Sequence, residues 1–244
     1  MDLNADLGEG FGHWNLGDDD ALLTVVTSAN VACGFHAGDA GIMRQVCAAA
    51  AARKVVIGAQ VGYRDLAGFG RRRIDYELGQ LCDELIYQVG ALQALATAEG
   101  TTVRYLKPHG ALYHQADQAP AIVEAAEVVK LPIYCAPESV LATASGDAGV
   151  PVIFEGFADR AYRADGTLLP RGKPGAVIGD TEEVVARALL MAVDQRVIAL
   201  DGTVVPHNVD SICLHGDTPG AVTLARSVRA ALEGAGVPLR AAVA

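Results

Sequence analysis

Three histidines in this chain stand within two residues of a glycine and within a few residues of an acid or a lysine: His36 in NVACGFHAGD (residues 30–39), His109 in KPHGALY (107–113) and His215 in LHGDT (214–218). Imidazole titrates closest to neutral pH, so it suits general acid–base work or ligation, and the adjacent glycines let backbone come close to a ligand. Lys107 and His109 are two residues apart, hence on one face if the extended chain continues through Pro108. Such a pair can stabilise an oxyanion or shuttle a proton, two recurring needs of amide hydrolysis. His215 and Asp217 repeat the pairing of imidazole with acid, in which a carboxylate orients the ring and fixes its tautomer. In DLNADLGEG (2–10), polar and apolar residues alternate, so Asn4 and Asp6 share a face, and a buried carboxylate demands a partner, a metal or a proton.

Each of these residues also has a plainer reading. A histidine at a strand end can be a structural hydrogen-bonder, Lys107 a packed aliphatic stem, Glu9 a solvated acid, and Asp39 the cap of the helix that follows. Asp159 and Arg160 in EGFADR (155–160) form a structural pair as readily as an acid and an anion-binding arginine. Arg71-Arg72-Arg73 follows a glycine-rich loop and serves either a solvated face or a small anion. What favours function is convergence: these residues gather at the ends of successive candidate strands.

The elements that must position them alternate. Short β-like apolar runs near residues 2–7, 25–32, 54–60, 103–107, 131–135, 151–156 and 210–215 are separated by Ala/Leu-rich stretches of helical spacing at 41–53, 75–99, 119–130, 137–145, 181–194 and 218–233. This is the pattern of βαβ units, a parallel sheet and an α/β barrel. Thr181 and Thr218 are candidate N-caps, the latter followed by Pro219, and Gly100 and Gly236 fall where helices should stop. Segments 162–178 and 197–206 break the rhythm as inserted loops or small hairpins, Asp201-Gly202 being a hairpin signal. One domain over 1–244 is expected. In a parallel barrel the chemistry sits on loops at the C-terminal ends of the strands, where the polar residues collect.

A net charge of −10 repels phosphate backbones and disfavours nucleic acid as a partner. The start, Met1 to Asp6, has neither the basic nor the apolar part of a signal peptide, and no run of about 18 apolar residues follows. Five widely spaced cysteines without metal-binding spacing read as reduced thiols. A cytoplasmic location away from membranes is expected.

DLNADLGEG, SANVACGFHAGD (28–39), GFGRR (68–72), KPHGALY, FADRAY (157–162), LPR (169–171) and LHGDT occur in fixed order nearly end to end. In these segments the sequence resembles the family of 5-oxoprolinase A subunits, also called the LamB/YcsF lactam-utilisation family. The resemblance implies a TIM-like (β/α)7 barrel similar to that of the glycoside hydrolase and deacetylase superfamily. It implies ATP-dependent conversion of 5-oxo-L-proline to L-glutamate with two partner subunits, B and C, which activate the lactam by phosphorylation while this chain opens the ring. No Walker-type phosphate loop is present, so ATP is expected to bind mainly in the partners. Deacetylase-like barrels hold a divalent metal with an Asp and two His, which here points to Asp6, His36 and one further imidazole. Members of the family usually read Gly-Ala-His-Pro where this chain has Gly58-Ala59-Gln60-Val61, and commonly have proline at Arg64; a glutamine cannot titrate near neutral pH.

The expected catalytic set is therefore Asp6 (activating water or holding a metal), Lys107 and His109 (oxyanion), and His36 and His215 (proton transfer or substrate), with Asp217 orienting His215. Asn4, Glu9, Asn30, Gln60, Tyr63, Arg72, Glu155, Arg160 and Asp217 are expected to contact substrate. Two other readings stay open: a metal-dependent amide hydrolase or deacetylase that needs no ATP, and a non-catalytic subunit regulating a partner enzyme. Self-association into a homo-oligomer is also open.

Overall fold

In the computed structural model, which describes residues 1–216 and 220–243, seven parallel strands close on themselves. They are β1 (Asp2–Leu7), β2 (Ser28–Ala32), β3 (Val56–Val61), β4 (Val103–Pro108), β5 (Ile133–Cys135), β6 (Val152–Phe157) and β9 (Ser211–Leu214), in the cyclic order β1-β2-β3-β4-β5-β6-β9. The two remaining strands, β7 (Arg196–Ile198) and β8 (Val204–Pro206), pair antiparallel as a hairpin outside the barrel, with Gly202 in the left-handed region at its turn (φ 87°). Every barrel strand lies where the alternation places one, but most begin one to three residues later. Lys54, for example, ends the preceding helix in the left-handed region and cannot start β3.

Helices α1 (Asp19–Leu22), α2 (Ala40–Arg53), α3 (Leu78–Ala98), α4 (Ala119–Val129), α5 (Val140–Ala148), α6 (Thr181–Asp194) and α7 (Ala221–Gly234) accompany the strands. Asp39 caps α2 by accepting from the amides of Gly41 and Ile42, as its place before an Ala-rich run predicts. The cap of α6 is Asp180, which accepts from Glu183 N; Thr181 is instead the first helical residue. Helix α3 starts at Leu78 rather than at 75, where Asp75 is engaged with Arg73. Helix α5 is shifted toward the C-terminus because Ser139 caps it and Gly149 (φ 73°) ends it. Thr218 and Pro219 lie outside the described residues, and α7 is entered through Gly220. Among the described residues no helix is long and apolar enough to cross a membrane.

The strand period of two divides the barrel into an apolar outside and a polar inside. Leu3, Ala5 and Leu7 of β1 join Ala29, Val31, Ile57, Ala59 and Leu106 in the apolar layer under the helices. The alternate residues point inward, where hydrogen bonds such as Tyr105 to Asn30 and Tyr134 to Asp2 join strands that are not neighbours. Low in the barrel, Asp2 accepts from Ser28 (2.7 Å), Thr27 (2.5 Å), Tyr134 (3.1 Å) and Ser211. Above it, Asn4 donates to Ser211 (2.6 Å), Asn30 donates to Asn4 (2.6 Å), and the Tyr105 hydroxyl donates to Asn30 (2.6 Å). The Tyr105 ring stacks on Tyr134 at 4.1 Å and fills the space beside Gly58, where a β-carbon would lie 1.9 Å from the ring. This polar interior is tolerated because most of its groups find partners within the barrel.

Candidate active site

Toward the C-terminal ends of the strands the inward residues become charged. Lys107 of β4 reaches across the barrel: its Nζ is 2.9 Å from Glu155 of β6, 3.4 Å from Asp6 of β1, 3.2 Å from Asn4 Oδ1 and 3.0 Å from Cys213 Sγ of β9. Asn30 donates to Asp6 as well (2.9 Å). All three charged groups are buried, Glu155 completely.

Burial alone works against charge on each of them, and the balance differs. For Asp6 it is outweighed by Lys107, by His215 and by the Asn30 hydrogen bond, so its carboxyl is held below the usual carboxylate range. For Glu155 burial prevails over Lys107 and pushes the carboxyl up. For Lys107 burial is overcome by Asp6, Cys213 and Glu155, which raise the ammonium well above its ordinary value. Two carboxyls that share one lysine are thus driven in opposite directions, the arrangement that separates a base from an acid.

Beside this cluster His36 and His109 stack face to face, centroids 3.9 Å apart, with the edge of Phe69 against both rings. The backbone of Gly70 (φ 66°) closes over them; a β-carbon there would lie 2.8 Å from His36 Cβ and 2.9 Å from His109 Nδ1. Burial lowers His36 to about 4 despite its bond to Gln60 and the nearby Asp6. Burial, His36 and Arg71 hold His109 well below the ordinary range. Both rings are therefore neutral near pH 7, and the 3.7 Å approach of His109 to Glu9 is not an ion pair there.

Neutral imidazole is the ligand form. Glu9, His36 and His109 are all buried and offer ligand atoms within 4.8 Å of one another. Nδ1 of each histidine lacks a hydrogen-bond partner in the protein. Gln60 Oε1 lies 3.2 Å from His36 Nε2. The donor set fits a divalent cation of the zinc type. It replaces the expected set in one respect: Glu9, not Asp6, accompanies the histidines, because Asp6 is drawn to Lys107 and Asn30.

His215 is held on the third side. Asp159 accepts from its backbone amide (3.2 Å) and lies 2.7 Å from its Nδ1, while the ring stacks on Phe157 at 5.7 Å. Asp217, expected in that orienting role and as a substrate contact, lies outside the described residues. Asp159 does not pair with Arg160, whose guanidinium bonds the carbonyls of Leu169 and Ala176.

A cavity of about 530 Å³ opens above these groups, lined by Asp6, Lys107, His109, Tyr113, Phe157 and His215 at its base, and by Arg71, Arg160, Arg163 and Arg171 around its walls. The structure thus brings together Asp6, His36, Lys107, His109, His215, Glu9, Gln60 and Glu155. Asn4 and Asn30 sit beneath them and are fully buried, so they orient Asp6 and Lys107 rather than face the cavity. Tyr63 is not brought in: it is buried among apolar residues, with its hydroxyl on Gln118 and its ring stacked on Tyr76. Arg72 turns away to pair with Asp65. Sequence reading missed Cys213, although it is two residues from His215 and so shares its inward phase. It also missed Arg163 and Arg171, which fall in a segment without periodicity.

The LamB/YcsF family matches residues 1–244. The chain is 58% identical to the A subunit of 5-oxoprolinase from Streptomyces griseus subsp. griseus, over 99% of each chain, and 55% identical to that of Mycobacterium marinum, over 99% of this chain and 98% of the other. A lactam utilization protein from Thermus thermophilus superposes with a TM-score of 0.93 at 42% identity, covering 99% of both chains. The T48 deacetylase, at 13% identity and a TM-score of 0.50 over 97% of this chain and 86% of the other, shares the fold alone. With the match running through every strand of the barrel and every group described above, this chain belongs to the LamB/YcsF family.

Proposed function

We propose that this chain is the A subunit of an ATP-dependent 5-oxoprolinase, a hydrolase that opens the lactam of 5-oxo-L-proline to give L-glutamate, acting with partner subunits B and C that use the ATP. The observation that carries this reading is the buried Asp6–Lys107–Glu155 cluster at the base of a cavity of small-molecule size. The naming of close relatives as 5-oxoprolinase A subunits supports the substrate. Opening the ring adds water across one C–N bond: oxygen joins the carbonyl carbon and the ring nitrogen leaves with a proton. Asp6, ionised at neutral pH, takes a proton from the attacking water. Lys107 lies where negative charge on the carbonyl oxygen is stabilised. His215, oriented by Asp159, is placed to return a proton to the nitrogen, and Glu155, fully buried against Lys107, holds that ammonium in position. Glu9, His36 and His109 would hold a divalent ion, which supplies Lewis-acid polarisation when bound. We place the protein in the cytoplasm, a reading supported by five free, buried cysteines.

The test is reconstitution with the two partner subunits, following 5-oxoproline-dependent ATP hydrolysis and glutamate release. Asp6→Ala and His109→Ala are expected to abolish glutamate release in folded protein, and wild-type turnover in both would overturn the assignment. The Glu9–His36–His109 group favours a second reading, metal-dependent amide hydrolysis without ATP; hydrolysis by the isolated chain that is lost on chelation would favour that one.

A further inference from the structure

The chemistry above leaves one member of the buried cluster without a role. Cys213 enters from β9, fully buried, with its Sγ 3.0 Å from Lys107 Nζ and 4.0 Å from Asp6 Oδ1. Burial pushes its thiol well above the ordinary range, more than Lys107 pulls it down. The group is therefore a neutral thiol near pH 7. It brings no charge to balance the ammonium, and a thiol that keeps its proton is not a nucleophile. Its sulfur can accept from Lys107, which leaves its own S–H to face the Asp6 carboxylate.

An ammonium has three N–H donors. Among the described residues, those of Lys107 meet Cys213 Sγ (3.0 Å), Asn4 Oδ1 (3.2 Å) and Asp6 Oδ1 (3.4 Å), with the Glu155 carboxyl at 2.9 Å besides. Every N–H is thus spoken for within the barrel. To stabilise charge on a carbonyl oxygen in the cavity, Lys107 must turn one of them away from its present acceptor. Asp6 holds its N–H by charge as well as by the hydrogen bond, and Asn4 offers an amide oxygen fixed in place by Ser211 and Asn30. Sulfur is the weak acceptor of the three. Its N–H is the one withdrawn with the least loss.

We propose that Cys213 is a positioning residue for the ring-opening step: its sulfur holds one N–H of Lys107 weakly and yields it to the substrate carbonyl oxygen as negative charge builds there. The proton stays on the lysine nitrogen throughout and only its acceptor changes, so the thiol makes and breaks no covalent bond. This inference rests on the lactam-opening function proposed above. It gives a physical reason for sulfur at this place rather than oxygen, since a hydroxyl would bond the ammonium more strongly and keep the N–H.

The test compares Cys213→Ser, which puts a stronger acceptor beside Lys107, with Cys213→Ala and Cys213→Val, which remove the acceptor. In the three-subunit system the serine variant should lose about tenfold in kcat for glutamate release with KM for 5-oxoproline unchanged, because the interaction it impedes forms in the transition state. The alanine and valine variants, or whichever of them folds, should stay within about threefold of wild type. Urea denaturation of the isolated full chain should rank the variants the other way, serine above alanine and valine. A side chain that only packs would make activity and stability fall together. A serine variant with wild-type kcat, or apolar variants slower than serine, overturns the proposal. So does a serine variant less stable than both apolar ones, since Lys107 would then make no bond at that position. Absence of glutamate release from the wild-type system overturns the lactam reading and this inference with it, whereas failure of the ranking in an active system overturns this inference alone.

Discussion

The rings of His36 and His109 lie 3.9 Å apart and within 16° of parallel. Two imidazolium cations could not share that space without a large electrostatic cost, so the stack is a pair of neutral rings held by burial. Their contact joins the loop after β2 to the end of β4 and places both beside Glu9, from the loop after β1.

A divalent transition metal such as zinc is expected to bind this group at one ion per chain. His36→Ala and His109→Ala should each weaken it by at least about tenfold, measured by competition with a chromogenic chelator. Gln60→His, which puts an imidazole beside His36, should strengthen it. Affinities unchanged in all three variants would remove the site.

Lys107→Met should be among the most damaging single changes. It leaves Asp6 and Glu155 facing each other without their shared cation, a loss of about 3–5 kcal/mol of stability. Urea denaturation reads the effect. The double change Lys107→Met with Glu155→Gln should recover part of it, and no recovery would mean that the pairing of Lys107 with Glu155 contributes nothing.

Gly58→Ala tests the barrel interior. Its β-carbon would sit 1.9 Å from the ring of Tyr105, which is fully buried and tied to Asn30, so the ring has nowhere to retreat. A destabilisation of about 3 kcal/mol is expected. Adding Tyr105→Leu should relieve most of it, and an equally damaged double variant would show that the ring is not the obstacle.

Asp159 gives a pH dependence of known sign. Burial opposes its ionisation, but His215 and the His215 backbone amide outweigh it and hold the carboxyl below the ordinary value of 3.8. Its contribution to stability is therefore complete above that value and is lost as pH falls through the lower, folded-state value. Asp159→Asn should cost more stability at about pH 6 than at about pH 3, so the gap between wild-type and variant denaturation midpoints should narrow on acidification. A gap that widens would reverse the assignment.

The order of strands and helices was legible in the residues because it rests on local periodicity. Alternation in DLNADLG already put Asn4 and Asp6 on one face, and Asp39 ahead of an Ala-rich run already read as a cap. The rim carrying His36, Lys107, His109 and His215 followed from a rule about parallel barrels rather than from any contact. Partnerships were another matter, because they join residues distant in the sequence through the closed barrel. Closure and strand stagger decided that Lys107 meets Glu155 as well as Asp6, and that Glu9 rather than Asp6 stands with the two histidines. They also decided that Asp159 supports His215, and that Tyr63, just past the end of β3, turns into the apolar layer. The sequence by itself determined which side chains point inward, since that depends on a two-residue period. Only the tertiary structure decided which of them share a charge, since that depends on distances across a barrel that no local pattern encodes.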